Sequence, residues 1–267
     1  MSYQTILYTR EGSVACITLN QPDRLNPVNA EMVGEFREAL AAVRADKSLR
    51  ALLVTAKGKL FSSGADLANG AFNAQSESRG IRAGRVMRNA INPMIAELHE
   101  LPVPVVTALN GGAAGGGVGL ALAADIVLAA RSAYFYLPFI KKLGLVPDAG
   151  ASYFLQRRLG PARTLALGLT GERLSAEKAE QWGLIHACVD DEALVPTAME
   201  MAQQLARLPA HGIIEARRIS EAASRNDLRG QLEYETERQE ILFDLPTLEE
   251  GVKAFFEKRD PEFPGRE

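Results

Sequence analysis

The sequence predicts an α/β core followed by a C-terminal helical region. Compact apolar runs alternate with amphipathic patterns before Pro161, and the stretches after it are almost wholly helical in periodicity. Over 267 residues, 47% are apolar and 24% charged, the balance of a globular chain large enough to bury its core without disulfide staples.

Residues 6–9 and 14–19 read as two strands around Glu11-Gly12-Ser13, a hairpin. Asn29 caps a helix from Ala30 to about Arg44, with Met32, Phe36, Leu40 and Val43 on one face. ALLVTA, 51–56, is a buried strand. GKLFSSGADL, 58–67, is a loop rich in small residues, and 68–80 a polar mobile loop. A long helix over 81–100 is stopped by Pro102 and Pro104. VVTAL, IVLAA and AYFY are further strands. Asp148 stands as the N-cap of a short helix, AGASYFLQRRLG, closed by Gly160. Ser175 caps another that ends at Gly183, and helical patterns fill 192–208, 211–224, 227–243 and 247–258. The expected division is a core over 1–198 and a helical region over 199–267.

Composition excludes several classes. A net charge of −3 argues against a broad nucleic-acid footprint. Cys16 and Cys188 sit among apolar residues, and His99, His186 and His211 lack metal-ligand spacing, so no disulfide framework or metal site is expected. The N-terminus has no signal-peptide pattern, and polar residues break every apolar stretch before about 18 residues, so no membrane span is expected and the cytoplasm is the expected compartment.

NGGAAGGGVGLALAAD, 110–125, runs from a strand through a Gly-rich turn into a small-residue helix. It is not a dinucleotide fingerprint. Gly115 and Gly117 are followed by Leu120 where the third glycine is needed, and Gly117 and Gly119 by Leu122. No Gly-Lys-Ser/Thr follows, which excludes a phosphate loop. Spacing alone leaves two readings open: tight backbone packing, or a turn that presents N–H donors at a helix start to a developing negative charge. A second small-residue loop, FSSGAD, also follows a buried strand and favours the donor reading, because an oxyanion hole takes two backbone donors.

Six stretches in order carry a resemblance over nearly the whole chain: LNQPDRLNPVNAEM, GKLFSSGADL, VTALNGGAAGGGVGLALAADIVLA, GLVPDAGASYFLQRRLG, TGERLSAEKAEQWGLI and GVKAFFEKRDPEF. With these the chain resembles the crotonase family, the enoyl-CoA hydratase/isomerase superfamily. The resemblance implies a spiral of β-β-α repeats, with C-terminal helices that make a homotrimer or a dimer of trimers. It also implies an acyl-CoA substrate, with coenzyme A as part of that substrate and no separate cofactor. By position, the N–H groups of Ala65 and Gly116 would hold the thioester oxygen. Ser63, Gly64, Asp66 and Leu67 would line the CoA-facing loop, and Arg24 and Lys258 are candidates for the CoA phosphates, with solvated surface charge the competing reading for both.

Hydratases of the family are similar in carrying two glutamates. Here the matching positions are Gly119 and Ile140, neither of which activates water or protonates carbon. Asp148 matches the lone carboxylate of the family's enoyl-CoA isomerases, and LGLVPDAG looks closest to the phenylacetate-breakdown type, beside the Δ3,Δ2 type. Asp148 is then expected to act as a single acid/base, its pKa raised by Phe139, Ile140, Leu143, Leu145 and Val146. A capping role would lower that pKa, so the two roles of Asp148 oppose each other. Asp125 reads as a structural cap or ion-pair member, Trp182 as a core anchor, and Tyr134, Tyr136 and Tyr153 as core packing, with contact to the acyl chain the competing reading. Hydration, other chemistry through Asp148, and acyl-CoA binding without catalysis are the alternatives.

Overall fold

The computed structural model describes residues 3–66 and 78–266. Strands β1 (Ile6–Glu11) and β2 (Val14–Leu19) form the expected antiparallel hairpin. After β3 (Pro27–Val28), helix α1 (Ala30–Ala45) starts at Asn29, whose side chain accepts the Met32 N–H at 2.8 Å. Its buried face carries Met32, Phe36, Leu40 and Val43, the three- and four-residue spacing of a helix on a core.

The next elements repeat. A long strand, a short strand and a helix follow one another as β4 (Ala51–Ala56), β5 (Leu60–Ser62) with β6 (Gly64–Ala65), and α2 (Arg79–Val86) with α3 (Asn92–His99). Then come β7 (Val105–Leu109), β8 (Gly112–Ala114) and α4 (Gly116–Leu122), and after them β9 (Ile126–Ala130), β10 (Tyr134–Tyr136) and α5 (Ala151–Thr170). Each repeat adds one strand to each of two sheets. The larger sheet has the order β1-β2-β4-β7-β9 and ends on β12 (Ala187–Val189); the smaller runs β5-β8-β10 to β11 (Arg173–Ser175). From β2 onward the larger sheet is parallel, with Leu53 opposite Val106 and Thr107 opposite Val127. Helices cover it, and all six residues of β4 and all five of β7 are buried, as a parallel strand covered on both faces requires. The third pairing, β3 with β6, ties the loop after β5 to the start of α1. This is the α/β spiral of β-β-α repeats with C-terminal helices.

Helix α6 (Ala176–Gln181) starts at Ser175, which accepts the Lys178 N–H, and α7 (Leu194–Leu205) packs on β4, β7 and β9. The 198/199 division falls inside α7. Beyond it, α8 (Gly212–Ala223), α9 (Leu228–Phe243) and α10 (Pro246–Glu257) leave much apolar surface open. Neither α8 nor α9 holds a buried residue, and Phe243, Phe255 and Phe256 are exposed. One contact pins α8 to the core. The Arg217 guanidinium donates twice to the Asp125 carboxylate at 2.7 Å and also to the Leu101 and Val103 carbonyls, while Asp125 accepts the Val105 N–H. Asp125 is thus the expected ion-pair member.

Four sequence-based expectations change. The 58–67 loop contains β5 and β6, two- and three-residue strands with no periodicity to betray them. The region after Pro161 contains β11 and β12 for the same reason. The 81–100 helix begins at Arg79 on a Ser78 cap and passes through a wide π-turn at Met87–Ile91. Gly160 kinks α5 rather than ending it: its φ of 74° breaks the helical path, and Pro161, whose ring fits a helix start, restarts it. Among the described residues no helix is long and apolar enough to cross a membrane, and no cluster of His, Cys, Asp and Glu has metal-ligating geometry. Cys16 is buried, Cys188 half-buried, and both are free thiols.

Candidate functional site

The loop that carries Ala65 is set by two buried polar side chains. Asn26 donates its amide to the Lys57 and Leu60 carbonyls at 2.8 Å each and accepts the Gln21 N–H at 2.8 Å. Ser62 donates to the Asn26 carbonyl at 2.8 Å and accepts the Gly64 N–H at 3.1 Å. Fully satisfied buried networks of this kind fix one backbone path. On that path Ser63 N–H reaches the Leu25 carbonyl and Asp66 N–H the Val28 carbonyl. Gly64 and Ala65 pair with Pro27 and Val28, and no other strand pairs with the far edge of β6 among the described residues.

That edge meets the start of α4. Gly64 has φ 82°, and a Cβ on it would stand 2.6 Å from the Ala114 carbonyl oxygen and 3.1 Å from Gly116 N. Only glycine allows both that conformation and that approach. Gly116 is the first residue of α4, where an N–H has no acceptor within the helix and lies at the positive end of the helix dipole. The preceding Gly115 offers no capping side chain, and its own N–H is taken by the Tyr136 carbonyl. The other end of α4 is held by Arg158, which donates to the Leu122 and Ala124 carbonyls at 2.8 and 2.9 Å. The turn at Gly64 therefore packs directly on the start of α4 at Gly116.

Asp148 reaches the same place. A Cβ on Gly116 would stand 3.5 Å from Asp148 Oδ1 and 3.5 Å from Ala149 Cβ. The expected cap is absent: the N-cap of α5 is Gly150, no side chain caps it, and the Asp148 backbone carbonyl accepts the Ala151 N–H. The carboxylate is left for other work. Burial pushes its pKa above the usual carboxylate range, offset in part by a hydrogen bond with its own backbone N–H. The source of that burial differs from expectation. Leu143, Leu145 and Val146 are exposed at 43%, 55% and 73%, and Ile140 at 38%, along the Phe139–Leu143 π-turn and the segment after it. Phe139 alone of the five is buried, its ring 3.8 Å from the Cβ position of Gly115.

The structure thus gathers Gly64, Ala65, Gly116 and Asp148, with Ser63 and Asp66 on the adjoining backbone. Arg24 joins them indirectly: its guanidinium lies 2.6 Å from the largely buried Asp66 carboxylate. Lys258 is exposed at the C-terminal end of α10, and no hydrogen bond or ion pair among the described residues links it to these loops. Leu67, and most of the 68–80 loop, lie outside the described residues. Tyr153 is not core: it lines a cleft of about 680 Å³ between α3, α5 and α8, with the Arg157 guanidinium 3.7 Å over its ring. Trp182 is half-buried against the core between Arg163 and Lys178. Sequence reading missed Asn26, Ser62 and Arg158. The Asn-Pro pair at 26–27 was a signal for the first, since Asn tolerates the positive φ found there, but nothing local marks the other two.

The family model described as enoyl-CoA hydratase/isomerase matches residues 9–266. The chain is 41% identical over 261 residues to the 1,2-epoxyphenylacetyl-CoA isomerase of Escherichia coli (strain K12), covering 98% of each chain. It is 39% identical over 266 residues to a protein of Rhodobacter capsulatus named probable enoyl-CoA hydratase, covering 100% of each. Among solved structures, an enoyl-CoA hydratase from Bacillus anthracis superposes with a TM-score of 0.88 at 30% identity, covering 98% of this chain and 100% of that one. With the β-β-α spiral and a family model spanning almost its whole length, the chain belongs to the enoyl-CoA hydratase/isomerase family, the crotonase superfamily.

Proposed function

We propose that the protein is an enoyl-CoA isomerase that moves a double bond along an acyl-CoA thioester. The observation that carries this is the Asp148 carboxylate: freed from capping, half-buried and set against Gly116, in a site whose two hydratase-type positions hold Gly119 and Ile140. One carboxylate suffices for isomerisation. Asp148 takes a proton from C2 of a 3-enoyl-CoA. The electron pair delocalises through the C3–C4 double bond and the thioester as a dienolate, and the same proton returns at C4 to leave the 2-enoyl-CoA. No atom is gained or lost. Ala65 and Gly116 N–H groups hold the enolate oxygen, each such donor contributing about 10²–10³-fold in rate. The raised pKa suits a group that must both take and return a proton near neutrality.

In this reading Ser63, Gly64, Asp66 and Leu67 line the CoA-facing loop, and Arg24 both holds Asp66 and lies close enough to that loop to meet a phosphate. Lys258 is a candidate only for a part of CoA that reaches α10. The exposed apolar residues of α9 and α10 support a homotrimer or a dimer of such trimers, and the reading places such an enzyme in the cytoplasm. The similarity to the 1,2-epoxyphenylacetyl-CoA isomerase supports a ring-derived acyl group. The similarity to the protein named as a hydratase favours a second reading, water addition or other chemistry through Asp148. Following absorbance as a 3-enoyl-CoA becomes the conjugated 2-enoyl-CoA, beside hydration of crotonyl-CoA, separates the two. Hydration well above background with no isomerisation establishes the second. Tight acyl-CoA binding with no turnover establishes a binding protein.

A further inference from the structure

The turn that carries Asp148 rests on a single missing side chain. Gly119 lies on α4 one turn after Gly116, and a Cβ there would overlap the Ala149 carbonyl oxygen, stand 2.8 Å from its carbonyl carbon and 3.2 Å from Ala149 Cβ. Backbone therefore packs directly on backbone. On the far side the turn is closed by α3 and α5: a Cβ on Gly150 would meet Phe154 Cε2 at 3.0 Å and Ile95 Cγ2 at 3.4 Å. Between these walls Ala149 is held at φ 50°, a left-handed conformation uncommon for a residue with a side chain. Such a conformation persists where its surroundings over-determine it.

We propose that Gly119 is the positioning residue for Asp148: its lack of a side chain seats the 148–150 turn on α4 and so sets the carboxylate beside Gly116. The same contact fills the volume into which a longer side chain at 119 would project. A longer side chain at 119 and Asp148 in its present place therefore exclude each other. This rests on the reading of Asp148 as the acid/base.

The test is Gly119→Ala, with Asp148→Glu and the double variant. Displacing a catalytic group by about 1 Å costs on the order of 10²-fold. Gly119→Ala is expected to lower kcat by about that factor, leave KM for the acyl-CoA near wild type, and move the acid limb of the pH profile toward the ordinary carboxylate range as water reaches Asp148. Asp148→Glu alone is expected to lower kcat, but in the Gly119→Ala background the longer arm recovers part of the loss. A folded Gly119→Ala protein with wild-type kcat and pH profile overturns the proposal, as does a loss with no such rescue and no change in pH profile. If Gly119→Ala does not fold, Ala149→Gly loosens the same contact from the turn side without collision. A kcat reduced about tenfold at unchanged KM and Tm then supports the proposal, and an unchanged kcat overturns it. If the wild type shifts no double bond, the isomerase reading fails separately. The proposal is then read by 13C NMR titration of the Asp148 carboxyl in wild type and Ala149→Gly: a lower titration point in the variant supports it, an identical one overturns it.

Discussion

Asp148 Oδ1 and Gly116 face each other across a gap no wider than one methyl group, 3.5 Å from the carboxylate to the position a Gly116 Cβ would take. The relationship joins a half-buried carboxylate to the first residue of a helix. It is made by two turns 32 residues apart that the β-β-α repeat stacks on one another.

Replacing the base tests its charge and its burial together. Asp148→Asn is expected to lower isomerisation by roughly 10²–10⁴-fold, while the chain stays folded, since Gly150 rather than Asp148 caps α5. The carboxyl pKa is raised in the folded state, so above that value folding holds a desolvated charge that the unfolded chain hydrates. Asn removes the penalty. Its Tm is expected to exceed wild type at pH 7, and the gain to vanish as pH falls through the raised pKa to the ordinary value near 3.9. Thermal melts between pH 4 and 8 check this.

The same shift sets the pH dependence of the rate. A base must be deprotonated, so kcat/KM is expected to fall on the acid side at a pH above the usual carboxylate range, not near 3.9. A pH profile with a limb at the ordinary Asp value contradicts the burial of this group.

Gly64→Ala addresses the other donor loop. Its φ of 82° costs a side chain at least about 1 kcal/mol, and the new Cβ collides with Ala114 beside Gly116 N. Both Tm and kcat are expected to fall, kcat by more than stability accounts for, because Ala65 moves with it.

Ile140→Glu installs one hydratase-type carboxylate at an exposed site. Stability is expected to change by less than about 0.5 kcal/mol. Crotonyl-CoA hydration is expected to stay at background, because the partner position is filled by the Ala149 backbone.

Arg217→Met breaks the clamp between α8 and the core. It leaves the Asp125 carboxylate and the Leu101 and Val103 carbonyls without their donor. With both side chains under 20% exposed, the loss is expected near the lower end of about 3–5 kcal/mol, read as denaturant midpoint.

Much of this was legible in the sequence. Buried runs such as ALLVTA and VVTAL and the heptad-like face of α1 announced themselves, because burial on one face or both leaves a period. The two donor loops and Asp148 were legible through their motifs. Of the strands of two or three residues only β10, within AYFY, was legible: β3, β5, β6, β8, β11 and β12 exist because sheet neighbours hold them, not because of their own pattern. Locally Asp148 reads as a cap, and only the folded turn shows Gly150 taking that place. The Arg158 and Arg217 clamps join segments far apart in the chain, and an arginine that will bind buried carbonyls looks like any other.

The most direct measurement is a paired assay of wild type and Asp148→Asn with a 3-enoyl-CoA and with crotonyl-CoA. The account predicts a wild type that isomerises and barely hydrates, and a variant that folds, binds acyl-CoA and no longer isomerises. An Asn variant that isomerises at the wild-type rate would contradict it, because the carboxylate beside Gly116 would then have no part in the chemistry.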